Sequence, residues 1–239
     1  MARPLLYYIT DRSQFPGDEL ARRVALVNKI AEAASSGVDY IQLRERDLSA
    51  RELQELGQEA VRVLQGTNTF SAGQNLTPTR LLINSRTDIA LAAGADGVHL
   101  RSNDVSPAEA RVVAETVLAQ NSKLATRNSL ARSRAPVTPD FLVGVSCHSE
   151  EEVISVRSQN ADFVVFAPVF EKIGLPRSRI LGLDQLRRAC GHNVPVLALG
   201  GVTLDNAQAC LEAGAAGIAG IRLFQQNPIS DVVGELWRD

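Results

Sequence analysis

Short apolar runs recur along the chain, each followed by a stretch with helical spacing. The runs are LLYYITD, YIQLRE, LLIN, GVHL, FLVGVS, FVVFAPVF, VPVLALGG and GIAGIRLF. Eight runs in 239 residues repeat with the length of a βα unit, roughly 30 residues. They are rich in Val, Ile and Leu and apolar at nearly every position, as strands of a parallel sheet covered on both faces are. The segments between them read as helices. DELARRVALVNKIAEAASSG opens with acidic residues and closes at Gly37, a C-terminal cap. In SARELQELGQEAVRVLQG, Ser49 precedes Glu52 by three residues, the spacing of a capping box. SPAEARVVAETVLAQ, SEEEVISVRSQ, LDQLRRAC and TLDNAQACLEAG follow the same logic. AAGAD (92–96), QNAD (159–162) and EAGAAG (212–217) each join a helix end to the next strand, so they share one task, turning the chain back into the sheet.

This alternation predicts an α/β fold: a single (βα)₈ TIM barrel with a parallel eight-stranded core. The length suits it, since such barrels typically need about 250 residues. A doubly wound open sheet is the rival, but it predicts a glycine-rich fingerprint after the first strand, and ITDRSQFPGDE has none. Two polar stretches, near 67–80 and 120–140, each precede a strand. They read as insertions on the face away from the chemistry, which leaves residues 1–239 as one domain.

Composition narrows the partners. A formal charge of −2 and a pI near 6.0 leave no electrostatic footprint for nucleic acid. No stretch approaches the roughly 20 apolar residues that span a bilayer, and MARPLLYYITDR lacks a signal core, so no membrane is implied. Cys147, Cys190 and Cys210 are odd in number and lack metal or redox spacing, which fits free thiols in a reducing compartment. The expectation is a cytoplasmic protein that handles a small molecule; a homodimer is left open.

In a barrel the chemistry gathers at the carboxyl ends of the strands. There the sequence places Thr10 and Asp11, then Gln42, Arg44 and Arg46, then Asn84, His99, Ser146, His148 and Lys172. Gly200 and Gly201 follow the seventh strand, and Ile221 and Arg222 the eighth. The glycine pair before a helix near Thr203 can expose backbone N–H groups to a phosphate, although glycines also merely permit tight turns. Gln42, Arg44 and Arg46 alternate and would share one face of a strand. Either Glu45 and its neighbours neutralise the two arginines, or the arginines await an anionic ligand. His148, between a strand and the acidic helix start SEEE, can exchange protons near neutral pH, or it can be a loop histidine inside a capping network. His99 reads as packed in its strand, and His192 as inert. Cys147 adjoins His148, but neighbours in sequence point apart.

Taken in order, YYITDR, YIQLRERDLSA, LLINSRTDIALAAGADGVHL, GVSCHSEEEV, ADFVVFAPVFE and VPVLALGGVTLDNAQACLEAGAAGIAG resemble the thiamin phosphate synthase and TenI superfamily over nearly the whole chain. That resemblance implies a thiamin-biosynthesis enzyme acting on a thiazole phosphate, with the glycine pair, Ile221 and Arg222 at the phosphate. It also offers two activities. Synthases join a pyrimidine diphosphate to a thiazole phosphate with Mg²⁺; TenI-type enzymes aromatise a carboxythiazole phosphate by moving a proton, without metal.

The departures favour the second. Where synthases have Asn-Asp this chain has Asn84-Ser85, and where they have Gly-Gln-x-Asp it has Arg101-Ser102-Asn103-Asp104, leaving Asp104 as the one retained metal-ligand position. The Thr-x-Thr-Lys pyrophosphate motif has no counterpart in VFEKIGLPRSR. The resemblance then implies a thiazole tautomerase with no cofactor, His148 moving the proton and Arg44, with Lys172 or Arg222, holding a carboxylate or phosphate oxygen. The alternative is a divergent synthase using Asp104 and Mg²⁺. A third reading is a catalytically silent paralogue, its pyrophosphate pocket filled by Arg101.

Overall fold

In a computed structural model describing residues 3–71, 77–128, 141–171 and 176–237, eight strands close into one parallel barrel in sequential order. The strands are β1 (Leu5–Ile9), β2 (Tyr40–Leu43), β3 (Arg80–Asn84), β4 (Gly97–Leu100), β5 (Leu142–Cys147), β6 (Phe163–Phe166), β7 (Val196–Ala198) and β8 (Gly217–Gly220). Each falls within or beside one of the apolar runs. β1 pairs with β2 on one side and β8 on the other, with Leu5 opposite Gly217. Around the strands lie α1 (Glu19–Ser35), α2 (Ala50–Ser71), α3 (Thr87–Ala93), α4 (Pro107–Asn128), α5 (Glu150–Ser158), α6 (Gly182–Cys190) and α7 (Leu204–Glu212). A short α8 (Arg222–Gln225) and α9 (Ile229–Leu236) follow β8. Among the described residues no helix is long and apolar enough to cross a membrane.

Local chemistry sets the boundaries. Asp18 caps α1 by accepting from the Ala21 amide at 2.9 Å. Ser49 and Glu52 form the anticipated capping box, the Ser49 amide donating to Glu52 at 2.9 Å and the Glu52 amide to Ser49 Oγ at 3.3 Å. Each of the three return segments holds one residue in the left-handed region: Gly94 (φ 73°), Asn160 (φ 61°) and Gly214 (φ 100°). An aspartate then performs a recurring task. Asp39, Asp96 and Asp162, just before β2, β4 and β6, accept the amides of Leu6, Leu81 and Val143 at 2.9, 2.7 and 2.6 Å. They bind amides near the amino ends of β1, β3 and β5.

The polar stretches differ in part from insertions. α2 continues through Ser71 and α4 through Asn128, so their first residues extend helices. Residues 72–76 and 129–140 lie outside the described residues.

Alternation along the strands sorts side chains into two apolar sets. One packs between sheet and helices and includes Leu6, Ile41, Leu81, Val143 and Val145. The other fills the barrel: Tyr7, Ile9, Leu82, Leu142, Phe163, Val165, Leu197 and Ala219, with Tyr40 against them. Tyr40 and Phe163 stack at 5.0 Å, and Tyr7 meets the Phe163 ring edge-on at 5.4 Å. These bulky rings come from near the amino ends of the strands and occlude that half of the barrel. Room for the Phe163 ring comes from Gly144 opposite, where a Cβ would overlap Phe163 Cζ.

That close approach makes Gly144→Ala an overpacking change in a rigid interior, expected to cost about 1–3 kcal/mol. Urea unfolding measures it. Placing Phe163→Leu in the same chain should make the alanine less costly than it is beside phenylalanine; an unchanged cost would show that the ring is not the obstacle.

Candidate active site

Above the aromatic rings, the inward positions turn polar. Gln42 on β2, Asn84 on β3, His99 on β4 and Ser146 on β5 continue the interior series toward the carboxyl ends. Gln42 Nε2 donates to Asn84 Oδ1 at 2.9 Å, and Asn84 Nδ2 to Ser85 Oγ at 3.1 Å. His99 is buried between the Tyr7 hydroxyl (Nδ1, 3.1 Å) and Ser146 Oγ (Nε2, 2.9 Å). Burial pushes its pKa down to about 3 against a small opposing pull from Asp104, so the ring is neutral. His99 is therefore structural, as anticipated, but it is also wired to Ser146.

His148 sits differently. It is exposed just beyond β5, with its amide donating to Glu152 Oε2 at 2.6 Å. Its Nδ1 lies 2.7 Å from the Ala167 carbonyl oxygen. A carbonyl only accepts, so Nδ1 carries the hydrogen and Nε2 of the neutral ring is a lone pair. The capping contact that the sequence left open is present, through the His148 amide. Cys147, adjacent but buried outside the barrel, has its thiol pushed up to about 12, chiefly by burial, which removes it as a nucleophile. His192 bonds Glu150 at 2.8 Å.

The arginine series resolves unevenly. β2 ends at Leu43, so strand alternation does not carry through Arg46; Arg44 is half-buried and Arg46 exposed. Glu45 neutralises neither of them. Its side chain, 2% exposed, accepts from Thr10 Oγ1 at 2.5 Å and from Arg12, whose Nη1 lies 3.2 Å away. Arg12 also meets Asp47 at 2.7 Å and Glu19 at 2.7 Å. Its hydrogen bond to Asp47, opposed by burial and joined by those to Glu19 and Glu45, raises its pKa above an already high value. Nothing in the sequence pointed to Arg12, because RERD offers nearer arginines to Glu45. Nor was Gln225 expected; it joins α8 to β1 by accepting from the Tyr8 hydroxyl (3.1 Å) and donating to the Asp11 carbonyl (2.6 Å).

Gly200 and Gly201 both have positive φ, 94° and 67°. A Cβ on Gly200 would meet Pro168 Cα at 2.7 Å, and one on Gly201 the Glu171 carbonyl at 2.5 Å, so the β6 loop itself demands glycine there. α7 caps its own first turn through Thr203 and Asn206. No backbone–backbone bond among the described residues starts from the amides of Gly201, Val202 or Ile221. Arg222 is exposed beside them. Lys172 lies outside the described residues.

At the retained metal-ligand position, Asp104 accepts from the Arg101 amide at 2.8 Å and pairs with its guanidinium at 2.8 Å. Burial pulls the carboxyl upward, but hydrogen bonds from Arg101 and Ser85 outweigh it and hold the carboxyl below the usual carboxylate range. Among the described residues no group of three His, Cys, Asp or Glu side chains could share a metal ion. Mg²⁺ needs free carboxylate oxygens beside substrate phosphates. Asp104 is already matched by a guanidinium and Ser85 holds the other ligand position, so among the described residues these two positions do not fit that ion as they stand.

A closed parallel barrel with polar side chains and backbone amides gathered at its carboxyl mouth is the architecture of a barrel enzyme. The family model described as Thiamine monophosphate synthase matches residues 6–119 and 125–224, and the chain belongs to that family. An Aquifex aeolicus protein with the provisional name thiamine-phosphate synthase 2 is 36% identical over 225 residues, covering 94% of this chain and 99% of that one. The thiamine-phosphate synthase of Caldanaerobacter subterraneus is 32% identical over 218 residues, covering 90% and 84%. The solved thiamine phosphate pyrophosphorylase of Pyrococcus furiosus superposes with a TM-score of 0.71 at 26% identity, covering 97% and 93%. These names favour the synthase that the sequence departures ranked second.

His99 makes stability depend on pH. Its folded pKa of about 3 lies below the ordinary 6.5, so between those values the unfolded chain binds the extra proton. Stability conferred by the neutral ring is complete above about 6.5 and is lost as pH falls, by up to about 1.4 kcal/mol per unit. Urea unfolding at pH 7 and pH 5 should show a larger loss for the native chain than for His99→Gln; equal losses would refute this.

Proposed function

We propose that this family member catalyses a metal-free proton shift on a thiazole phosphate, the tautomerisation that aromatises a carboxythiazole ring. The observation that carries this is the hydrogen bond from His148 Nδ1 to the Ala167 carbonyl, which leaves Nε2 as a lone pair at the barrel mouth. In this reading Nε2 takes a proton from a ring carbon, and the imidazolium keeps its Nδ1–H bond to Ala167. The same nitrogen then returns a proton to a second position. The backbone around Gly200, Gly201, Ile221 and Arg222 binds the phosphate. Gln42, Asn84 and Ser146 line the ring pocket, and Arg44, with Lys172 or Arg222, takes the carboxylate or a phosphate oxygen. Arg46, exposed on the rim, contributes charge rather than a contact.

The second reading is a thiamine-phosphate synthase, and the relatives' names favour it. It requires Asp104 to leave Arg101. Assaying both reactions separates the two. Under the proposal the pure protein accelerates thiazole aromatisation, and His148→Gln lowers kcat about 100-fold or more with little change in KM, the usual scale for a general base. It forms no thiamin phosphate from pyrimidine diphosphate, thiazole phosphate and Mg²⁺. Turnover in the second assay at a synthase rate would replace the first reading with the second.

A further inference from the structure

The interior hydroxyl–imidazole–hydroxyl chain beneath the mouth has a direction. Tyr7 is fully buried, and among the described residues the hydrogen-bond partner of its hydroxyl is His99 Nδ1 at 3.1 Å. A buried O–H without an acceptor costs about 1–3 kcal/mol. Tyr7 therefore donates, and Nδ1 must be the lone-pair nitrogen. Burial and the neighbouring Tyr40 raise the phenol well above its ordinary value, so this hydrogen is not lost. The neutral ring then carries its hydrogen on Nε2, 2.9 Å from Ser146 Oγ. Ser146 accepts it, and the serine's own hydrogen is left over. Ser146 is half-buried at the top of β5, where that hydrogen can leave the barrel interior.

We infer that Tyr7 and His99 are positioning residues that fix the Ser146 hydroxyl as a donor, so that the mouth presents a hydrogen there to an anionic oxygen of the ligand. The opposite tautomer would leave Tyr7 without an acceptor and turn a serine lone pair toward the ligand, repelling a phosphate or carboxylate. The chain thus favours an oxyanion at this point. This rests on the reading of the mouth as a thiazole phosphate site, but the direction of the chain can be measured without any ligand.

The test has two arms. In protein carrying ¹⁵N-labelled histidine, the ring-nitrogen shifts of His99 at neutral pH should show Nδ1 bare and Nε2 protonated. Tyr7→Phe, which removes only the oxygen, should yield a mixture of tautomers. A protonated Nδ1 in the native chain overturns the inference. Calorimetry then measures binding of an aromatic thiazole phosphate and of its carboxylated counterpart. Ser146→Ala should weaken binding about tenfold, the scale of one hydrogen bond to a charged group, Tyr7→Phe about twofold, as an even tautomer mixture leaves about half the sites competent, and the two together no more than Ser146→Ala alone. Weakening of both probes assigns the contact to the phosphate, and weakening of the carboxylated one alone to the carboxylate. A mixed tautomer in Tyr7→Phe with unchanged affinity for both overturns the inference. Failure of the native chain to bind either probe overturns the thiazole reading, and the Nδ1 shift then still decides the direction of the relay.

Discussion

The interior of a closed eight-stranded barrel is just wide enough for side chains, and here it is divided between oil and water along its axis. Tyr7, Tyr40 and Phe163 fill the amino-terminal half, made possible by the missing side chain at Gly144. Because that half is plugged, the inward residues one layer higher cannot sink, and Gln42, Asn84 and Ser146 are held at the mouth. The plug is also polar at one point. Tyr7 contributes its ring to the packing and its hydroxyl to His99, so the apolar layer and the polar layer are joined by a single covalent group.

Around the mouth, rigidity is built from charge rather than packing. Arg12 draws Glu19, Glu45 and Asp47 together and thereby ties the β1 loop to the β2 loop. A buried carboxylate such as Glu45 is tolerable only because its cation and the Thr10 hydroxyl stand beside it. Gln225 performs the neutral version of the same task between β1 and α8. The groups assigned to chemistry, His148 Nε2 and the amides near Gly201, lie outside these networks. Fixed loops are what a binding mouth needs, since ordering them on ligand binding would consume affinity.

The strands and return segments were legible because both have a sequence period or a residue that backbone geometry demands. Asn160 and Gly214 stand where only a left-handed residue turns the chain. His148 and Ser146 were legible from their place at the end of an apolar run. What was not legible depends on partners distant in sequence. Glu45 has arginines on both sides in RERD, yet its cation is Arg12, because β2 ends at Leu43 and the following residues leave the strand's alternation. Tyr7 inside LLYYI reads as one more apolar position; its hydroxyl matters only once β4 brings His99 across the interior. The capture of Asp104 by Arg101 lay within four residues and could have been read from spacing alone, as an i,i+3 pair.

The seam between β1 and β8 closes the ring by pairing Leu5 with Gly217, from opposite ends of the chain. Loop closure over so long a contour is entropically slow, whereas the neighbouring strand pairs form across a single βα unit. Until that seam is paired, β1 and β8 are the two open edges of the sheet. Such edges can accept a strand from another molecule as readily as from their own. Gln225, which reaches from beyond β8 to the Tyr8 hydroxyl and the Asp11 backbone, is a latch across that seam, so one side chain both satisfies a buried hydroxyl and ties the last strand to the first.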